Sequence, residues 1–377
     1  MAQRVLILGA GFGGLEIATM LSEGSGGEIE VTLIDKGEGF CFGFSKLELM
    51  FGRATLEELR MPYAQLDKPG LRFVRETITE IDPEARRVTT DGGSYEADAI
   101  VIALGADYDS AATPGLTEGG NEFYSFAGAE RLGEILPTFA EGRVVIGVCG
   151  APFKCPPAPS ECALLLDDDL RSRGVREQCE ISFVIPFGKP VPPSPETSAA
   201  LEAEFAERGI EFVPGRRVAA LDGERGQVVL DDGTELPYDL FLGVPKHRAP
   251  DVVIASGIAE DGFVPVDPAT LRTRFESVYA VGDVATAGVP KAGVFAEGAG
   301  RIVAQSLLAE LRGADPPGRH LGQGTCYIEF GHGRVASVDI DFLSGPEKTG
   351  TFNPASAALV AEKEAFGATR RSRWFGA

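Results

Sequence analysis

The chain predicts an α/β protein built from two Rossmann-like, three-layer dinucleotide-binding halves, followed by a small C-terminal cap and a terminal helix. Three features point there: a glycine turn directly after the first apolar strand, an acid at the end of the second strand, and a later α/β pattern that repeats the first. With 377 residues the chain exceeds one ordinary domain and can bury large cores. Its 44% hydrophobic content and 48 glycines suit a globular protein with many tight strand-to-helix turns.

Taken in order, residues 4–8 predict a buried strand, 9–14 a glycine turn, 15–22 a helix and 28–34 a second strand ending at Asp35. Further strands are expected around residues 78–87 and 94–104, the last closing on Ala103-Leu104-Gly105, where the chain leaves the first domain. The second α/β pattern has strands at 143–149, 180–186 and 210–213, helices at 161–173 and 194–208, and a strand at 240–244 that leads back to the first domain. A buried strand over 278–283 ends in Gly282-Asp283, and a helix follows over 296–311. After Pro316-Pro317 an antiparallel cap and a terminal helix are expected. The expected division is therefore 1–105 plus 245–315, 106–244, and 316–377.

A net charge of -21 excludes nucleic acid as a partner, because an acidic surface repels a polyphosphate instead of releasing its counterions. The first strand begins almost at Met1, which leaves no room for a signal peptide and predicts a cytoplasmic protein. No apolar run approaches the roughly 18 residues of a membrane span, so any membrane contact is expected to be peripheral, on the inner face. The six cysteines (Cys41, Cys149, Cys155, Cys162, Cys179 and Cys326) lack paired metal-ligand spacing, so no metal is expected, and a reducing cytosol argues against structural disulfides.

The turn GAGFGG fits the GxGxxG fingerprint, with Asp35 lying 21 residues beyond Gly14. Gly9 permits the tight turn, Gly11 lets the backbone approach a pyrophosphate and Gly14 allows close helix–strand packing, while the helix N-terminus favours the negative charge. Asp35 is expected to accept from ribose hydroxyls. Phe12, Gly13, Lys36, Ile78 and the run Ala103-Leu104-Gly105 complete the expected contacts of this half. The alternative is a glycine-rich turn in some other α/β fold. The second half departs from the fingerprint at Gly147-Val148-Cys149-Gly150-Ala151-Pro152. Its third glycine is absent, Pro152, Pro156 and Pro157 are expected to obstruct a regular helix start, and the next strand ends in Pro186-Phe187 with no acid for a ribose. NAD(P)H is therefore not expected to bind there.

Far along the chain, YAVGDVA followed by Pro290-Lys291-Ala292-Gly293 resembles the two-dinucleotide-binding-domain flavoproteins. That resemblance implies FAD, with Gly282 and Asp283 at the ribityl chain and Lys291, Ala292 and Gly293 at the flavin pyrimidine. The stretches PFKCPPAPSE (152–161), VPVDPATLRT (264–273), PKAGVFAEGAGR (290–301), GTCYIEFG (324–331) and RWFG (373–376) then resemble the sulfide:quinone oxidoreductase and flavocytochrome c sulfide dehydrogenase family over nearly the whole chain.

This second resemblance implies two redox cysteines against the flavin, Cys155 and Cys326, with sulfide or a related small sulfur species as substrate and a quinone or other acceptor as partner. It implies that a sulfur nucleophile opens a Cys155–Cys326 disulfide and that electrons leave through FAD, with Lys291 stabilising negative charge. Lys154 is expected to favour the Cys155 thiolate. Cys326 read alone is a small buried hydrophobe on a strand, and Cys162 and Cys179 are packing residues. Three-cysteine relatives carry another thiol upstream, where residues 123–130 offer none. The histidines are His247, His320 and His332, so Glu161 is the candidate base, with an exposed helix-start glutamate as its alternative. Cys41 lies near the position of covalent FAD attachment, but about two residues out of register, so noncovalent FAD is expected. Two other readings stay open: an NAD(P)H-dependent quinone or disulfide reductase, and a noncatalytic flavin redox sensor. A homodimer is also open. The basic, aromatic tail over 359–375 is equally suited to an anionic membrane interface and to docking on acidic neighbours of its own body.

Overall fold

The computed structural model describes residues 2–316 and 318–376; Met1, Pro317 and Ala377 lie outside the described residues, so the expected Pro316-Pro317 boundary falls partly outside them. The first half is a five-stranded parallel sheet in the order Val278–Ala280, Ala99–Ile102, Gln3–Leu8, Ile29–Asp35, Leu71–Arg75. In the strand Gln3–Leu8 the four residues from Val5 to Leu8 are apolar without a break because both faces of the sheet are covered there. Val5 and Ile7 point into a core with Leu15, Ile17 and Leu21 of the helix Phe12–Gly24, which packs against the helix Gly293–Leu311. Leu6 and Leu8 point the other way, onto Ile81 and Val88 of an antiparallel meander formed by Ile78–Asp82, Arg87–Thr90 and Ser94–Glu96. Helices, sheet and meander make the three layers.

The second half repeats the plan. Its parallel sheet runs Asn121–Glu122, Leu240–Val244, Gly142–Val148, Cys179–Ile185, Ile210–Pro214. Val144 and Ile146 face the helices, while Val145 faces the meander residues Val218, Leu221 and Val228. The chain crosses between the halves on two short antiparallel strands, Asp107–Asp109 and Lys246–Arg248.

The prolines displace the helix of the second half: in the first half the helix starts at Phe12, directly after the glycine turn that follows Leu8, whereas here it starts only at Ala158, past Pro152, Pro156 and Pro157 although ahead of the expected residue 161, and spans Ala158–Ser172 with Pro157 as its N-cap and Pro159 in its first turn. First-turn residues have no intrahelical acceptor for their N–H groups, so proline loses nothing there. The helix expected from residue 296 likewise starts earlier, spanning Gly293–Leu311.

The cap is an antiparallel sheet of Gln323–Gly331, Arg334–Asp341 and Thr349–Ser356. Ile328, Phe330, Val338 and Ile340 join the core of the second half. The terminal helix Ala358–Phe375 crosses back and sinks Trp374 and Phe375 into the core of the first half. Cap and helix therefore bridge both halves. Among the described residues no helix is long and apolar enough to cross a membrane.

Candidate active site

The nucleotide end of the site follows from the glycine turn. Gly9 has φ +99°, and a Cβ there would lie 2.5 Å from the Ala103 carbonyl oxygen; at Gly14 it would lie 1.9 Å from the Gly9 oxygen. These two positions admit only glycine. At Gly11, the N-cap of the helix Phe12–Gly24, a Cβ would meet nothing within 4 Å and would project into open space. Asp35 closes the turn from the second strand: its Oδ2 accepts from the Ala10 N–H at 2.8 Å and its Oδ1 from the Gly37 N–H at 2.7 Å. Each oxygen keeps a lone pair for a ribose hydroxyl.

A cavity of about 390 Å³ opens at this turn. Gly9, Gly11, Phe12, Gly13 and Asp35 line it, with Ala103, Leu104, Gly105, Gly282, Asp283, Lys291, Ala292 and Gly293. Gly14 lies behind the turn, Lys36 is exposed, and Ile78 packs between meander and sheet; none of the three is on the cavity wall. Asp283 Oδ1 is buried with no hydrogen-bond partner, an acceptor waiting for a hydroxyl such as the ribityl chain carries. With Gly11 opening on the cleft, the residues present fit FAD. The Lys291 ammonium is committed to the chain itself, donating to the Asp283 carbonyl at 2.6 Å and lying 3.5 Å from the centroid of the Phe263 ring. Burial pushes it down to about 8.

Cys155 lines the same cavity. It sits in the left-handed region at φ +46°, a conformation that costs a non-glycine residue roughly 1 kcal/mol or more and persists only when neighbours enforce it. They do so here: the Cys155 N–H donates to the Lys291 carbonyl at 2.7 Å, and its own carbonyl accepts from the Ala158 N–H at 2.8 Å. Cys326 comes from the cap strand Gln323–Gly331, which packs against the helix Ala158–Ser172. Glu161, in the first turn of that helix, is buried, and its carboxyl accepts the Glu329 N–H at 2.9 Å. The exposed alternative for Glu161 is thereby removed.

Burial, then the Glu161 and Cys326 charges, pushes the Cys155 thiol well up, and burial with Glu161 pushes Cys326 up to about 12. The two thiols and the carboxyl thus lie within electrostatic reach of one another. All six cysteines are free thiols here, and Cys149, Cys162 and Cys179 are buried.

The expectation for Lys154 is corrected. Its Nζ donates to the Tyr108 hydroxyl at 3.1 Å, and the cation that lowers the Cys155 thiol pKa is Lys46. His247 was passed over in the sequence. It lies edge-on to Tyr108 and Tyr124, with ring centroids 5.0 and 5.4 Å away, and burial followed by Lys154 pushes it down to about 3. No spacing signal marks these residues, because they come from the inter-half strands and the loop after Glu122.

A second cavity of about 680 Å³ shares Phe44 with the first. Phe42 and Phe51 give it apolar walls, and Glu329, Arg53 and Lys363 give it a charged cluster in which Glu329 pairs with Arg53 at 2.6 Å and with Lys363.

A cleft that offers a helix N-terminus to a pyrophosphate, a carboxylate to a ribose and an orphan carboxylate oxygen beyond it, with a thiol on its wall, defines an FAD-dependent oxidoreductase. Residues 3–300 match the pyridine nucleotide-disulphide oxidoreductases, and the chain belongs to that family. Over 94% of its length it is 25% identical to the mitochondrial sulfide:quinone oxidoreductase of Mus musculus, covering 82% of that protein. It is 28% identical to the sulfide-quinone reductase of Aquifex aeolicus, over 88% of this chain and 82% of that one. A crystal structure of the sulfide:quinone oxidoreductase from that bacterium shares the fold, with a TM-score of 0.87 at 24% identity over 99% of this chain and 92% of that chain. A type II NADH:quinone oxidoreductase of Staphylococcus aureus is 27% identical over 74% of each chain.

Proposed function

We propose that the protein oxidises sulfide, or a related small sulfur species, through Cys155 and Cys326 and passes the electrons by way of FAD to a quinone. The observation that carries this reading is a thiol, Cys155, on the wall of a cleft fitted for a flavin, with the Glu161 carboxyl from the helix that follows it and the Cys326 thiol from the cap strand within electrostatic reach behind it. FAD when bound supplies the two-electron acceptor. In its oxidised form the thiol pair is a disulfide that a sulfur nucleophile opens, so one sulfur takes the incoming atom and the other is freed as the electron donor. Glu161, raised to about 7 chiefly by burial, takes up the proton that this exchange releases. The left-handed turn stitched to Lys291 fixes Cys155 on the cavity wall. The second cavity, apolar on Phe42, Phe44 and Phe51 and polar at Lys363 and Glu329, suits an amphipathic acceptor such as a quinone, reached from a peripheral position on the inner face of a membrane.

The likeness to the NADH:quinone oxidoreductase favours a second reading, with NADH as reductant. Against it stand the missing third glycine and the strand Cys179–Ile185, which ends without an acid.

Anaerobic titration of the holoprotein separates the two. Sulfide bleaches the flavin within seconds and millimolar NADH or NADPH does not; the reverse pattern would overturn the proposal. Cys155→Ser and Cys326→Ser each abolish sulfide-dependent bleaching while the oxidised flavin spectrum stays, since a hydroxyl neither forms the disulfide nor ionises at neutral pH. Near-native bleaching in either variant removes the two-thiol mechanism.

A further inference from the structure

Three lysines line the flavin cavity: Lys46, Lys154 and Lys291. Two are occupied. Lys291 donates to the Asp283 carbonyl and Lys154 to the Tyr108 hydroxyl, with Lys154 also lying 4.5 Å from the Tyr108 ring centroid. Lys46 is different: among the described residues its ammonium has no hydrogen-bond or ion-pair partner, only the face of Phe126 at 5.1 Å. Its position is set by the short helix Ser45–Met50, which packs on the helix Phe126–Ile135 and so turns Lys46 to the cavity wall that Cys155 shares.

A half-buried cation without a counter-ion is a costly arrangement, and in a chain with 56 acidic against 35 basic residues a carboxylate partner was readily available. Neither carboxylate whose charge reaches it, Glu122 or Asp283, pairs with it. Glu122 accepts from the Tyr124 and Ser125 N–H groups at 2.7 and 2.8 Å, and Asp283 holds its orphan oxygen toward the cofactor cleft.

We propose that Lys46 forms the substrate-docking site, in which hydrosulfide or another small sulfur anion pairs with its ammonium and is thereby presented to Cys155. The inference rests on the reading that sulfide reacts at this thiol, and it adds the group that selects the anionic form. Lys154 adds to the positive field. The same cation favours the Cys155 thiolate against the burial that opposes it. Burial and Lys154 bring Lys46 down to about 8, while Glu122, Asp283 and Cys155 oppose that shift, so docking weakens as pH rises through about 8.

The test uses the FAD-loaded protein with Lys46→Met, Lys46→Arg and the exposed control Lys189→Met. The sulfide concentration that half-saturates flavin reduction rises about tenfold in Lys46→Met, the equivalent of one charge-assisted hydrogen bond, with a smaller change in limiting rate; Lys46→Arg restores it. Azide, a non-reducing monovalent anion, perturbs the flavin absorbance and competes with sulfide in the wild type and in Lys46→Arg, and does neither in Lys46→Met. Unchanged sulfide dependence and azide response in Lys46→Met would overturn the inference. So would loss of FAD with normal sulfide dependence in the molecules that keep it, because Lys46 would then serve the cofactor. A wild type that binds azide through Lys46 yet is not reduced by sulfide supports an anion site and sinks the sulfide reading instead.

Discussion

Burial holds the Glu161 carboxyl at about 7, inside the range where a proton acceptor works at neutral pH. Because this folded value lies above the ordinary glutamate value of 4.5, the group's contribution to stability is fully present below about 4.5 and is lost as pH rises through about 7. Function needs the other side of the same titration, since only the carboxylate accepts the proton that the exchange releases. Sulfide-dependent flavin reduction should therefore climb through an apparent pKa near 7, and Glu161→Gln should flatten that limb and slow reduction by about 10²–10⁴-fold. Stability of Glu161→Gln, followed by denaturant melts at pH 6 and pH 8, should show a smaller loss with rising pH than the wild type. A variant that keeps both the rate and the limb would show that Glu161 moves no proton. This residue was legible in the sequence because it stands six places after Cys155 on a helix start. Lys46 and His247 were not: an isolated lysine before an apolar run reads as a solvated face, and a histidine between halves acquires its aromatic neighbours only when the chain returns.

At the scale of elements, unbroken apolar runs for the buried strands and the glycine turns carry most of the architecture, because each depends on features that a short stretch of sequence already contains. The prolines of the second half are local in the same way: each fixes its own φ and carries no N–H, so the helix starts only at Ala158, past Pro152, Pro156 and Pro157. Gly11 tests the glycine turn cleanly. Its φ of -82° and ψ of -166° are open to any residue, and an added Cβ touches no protein atom within 4 Å, so Gly11→Val should fold with a normal circular dichroism spectrum. Its branched side chain instead fills the space left for the pyrophosphate, and the purified protein should be colourless at 450 nm. A folded Gly11→Val that retains full flavin would refute the placement of the cofactor. Asp35 is a poorer probe, since it also anchors the Ala10 and Gly37 N–H groups, and its removal disturbs turn and ribose site together.

Over the whole molecule the terminal helix is what ties cap, first half and cofactor cleft together, and its role was undecided in the sequence because basic and aromatic residues serve a membrane surface and an acidic protein face equally well. In the structure most of those residues are spent on the body, while Arg371 stays exposed. Arg373 pairs with Glu16 at 2.9 Å, Arg370 with Glu297 at 2.9 Å, and the Trp374 indole N–H donates to Glu16 Oε2 at 2.8 Å. Burial alone would raise the Glu16 carboxyl, but the bonds from Arg373, Trp374 and Arg301 outweigh it and hold the group below the ordinary range. The stability it contributes is thus present above the usual carboxylate pKa and is lost as pH falls through the lowered value. Trp374 is wholly buried, edge-on to Phe12 and Phe40 with ring centroids 5.6 and 5.4 Å away, and both phenylalanines line the flavin cavity. Trp374→Ala removes the largest side chain of this cluster and one donor to a buried carboxylate, a loss on the order of 3–5 kcal/mol for such a truncation. Since the cavity walls lean on that ring, the loss should reach the cofactor. Flavin fluorescence released on heating should appear several degrees earlier than in the wild type, and FAD should dialyse away faster, while Trp374→Phe, which keeps the ring contacts but not the indole donor, should fall between. Release at the wild-type temperature in Trp374→Ala would mean that the helix merely covers the first half and has no part in holding its cofactor.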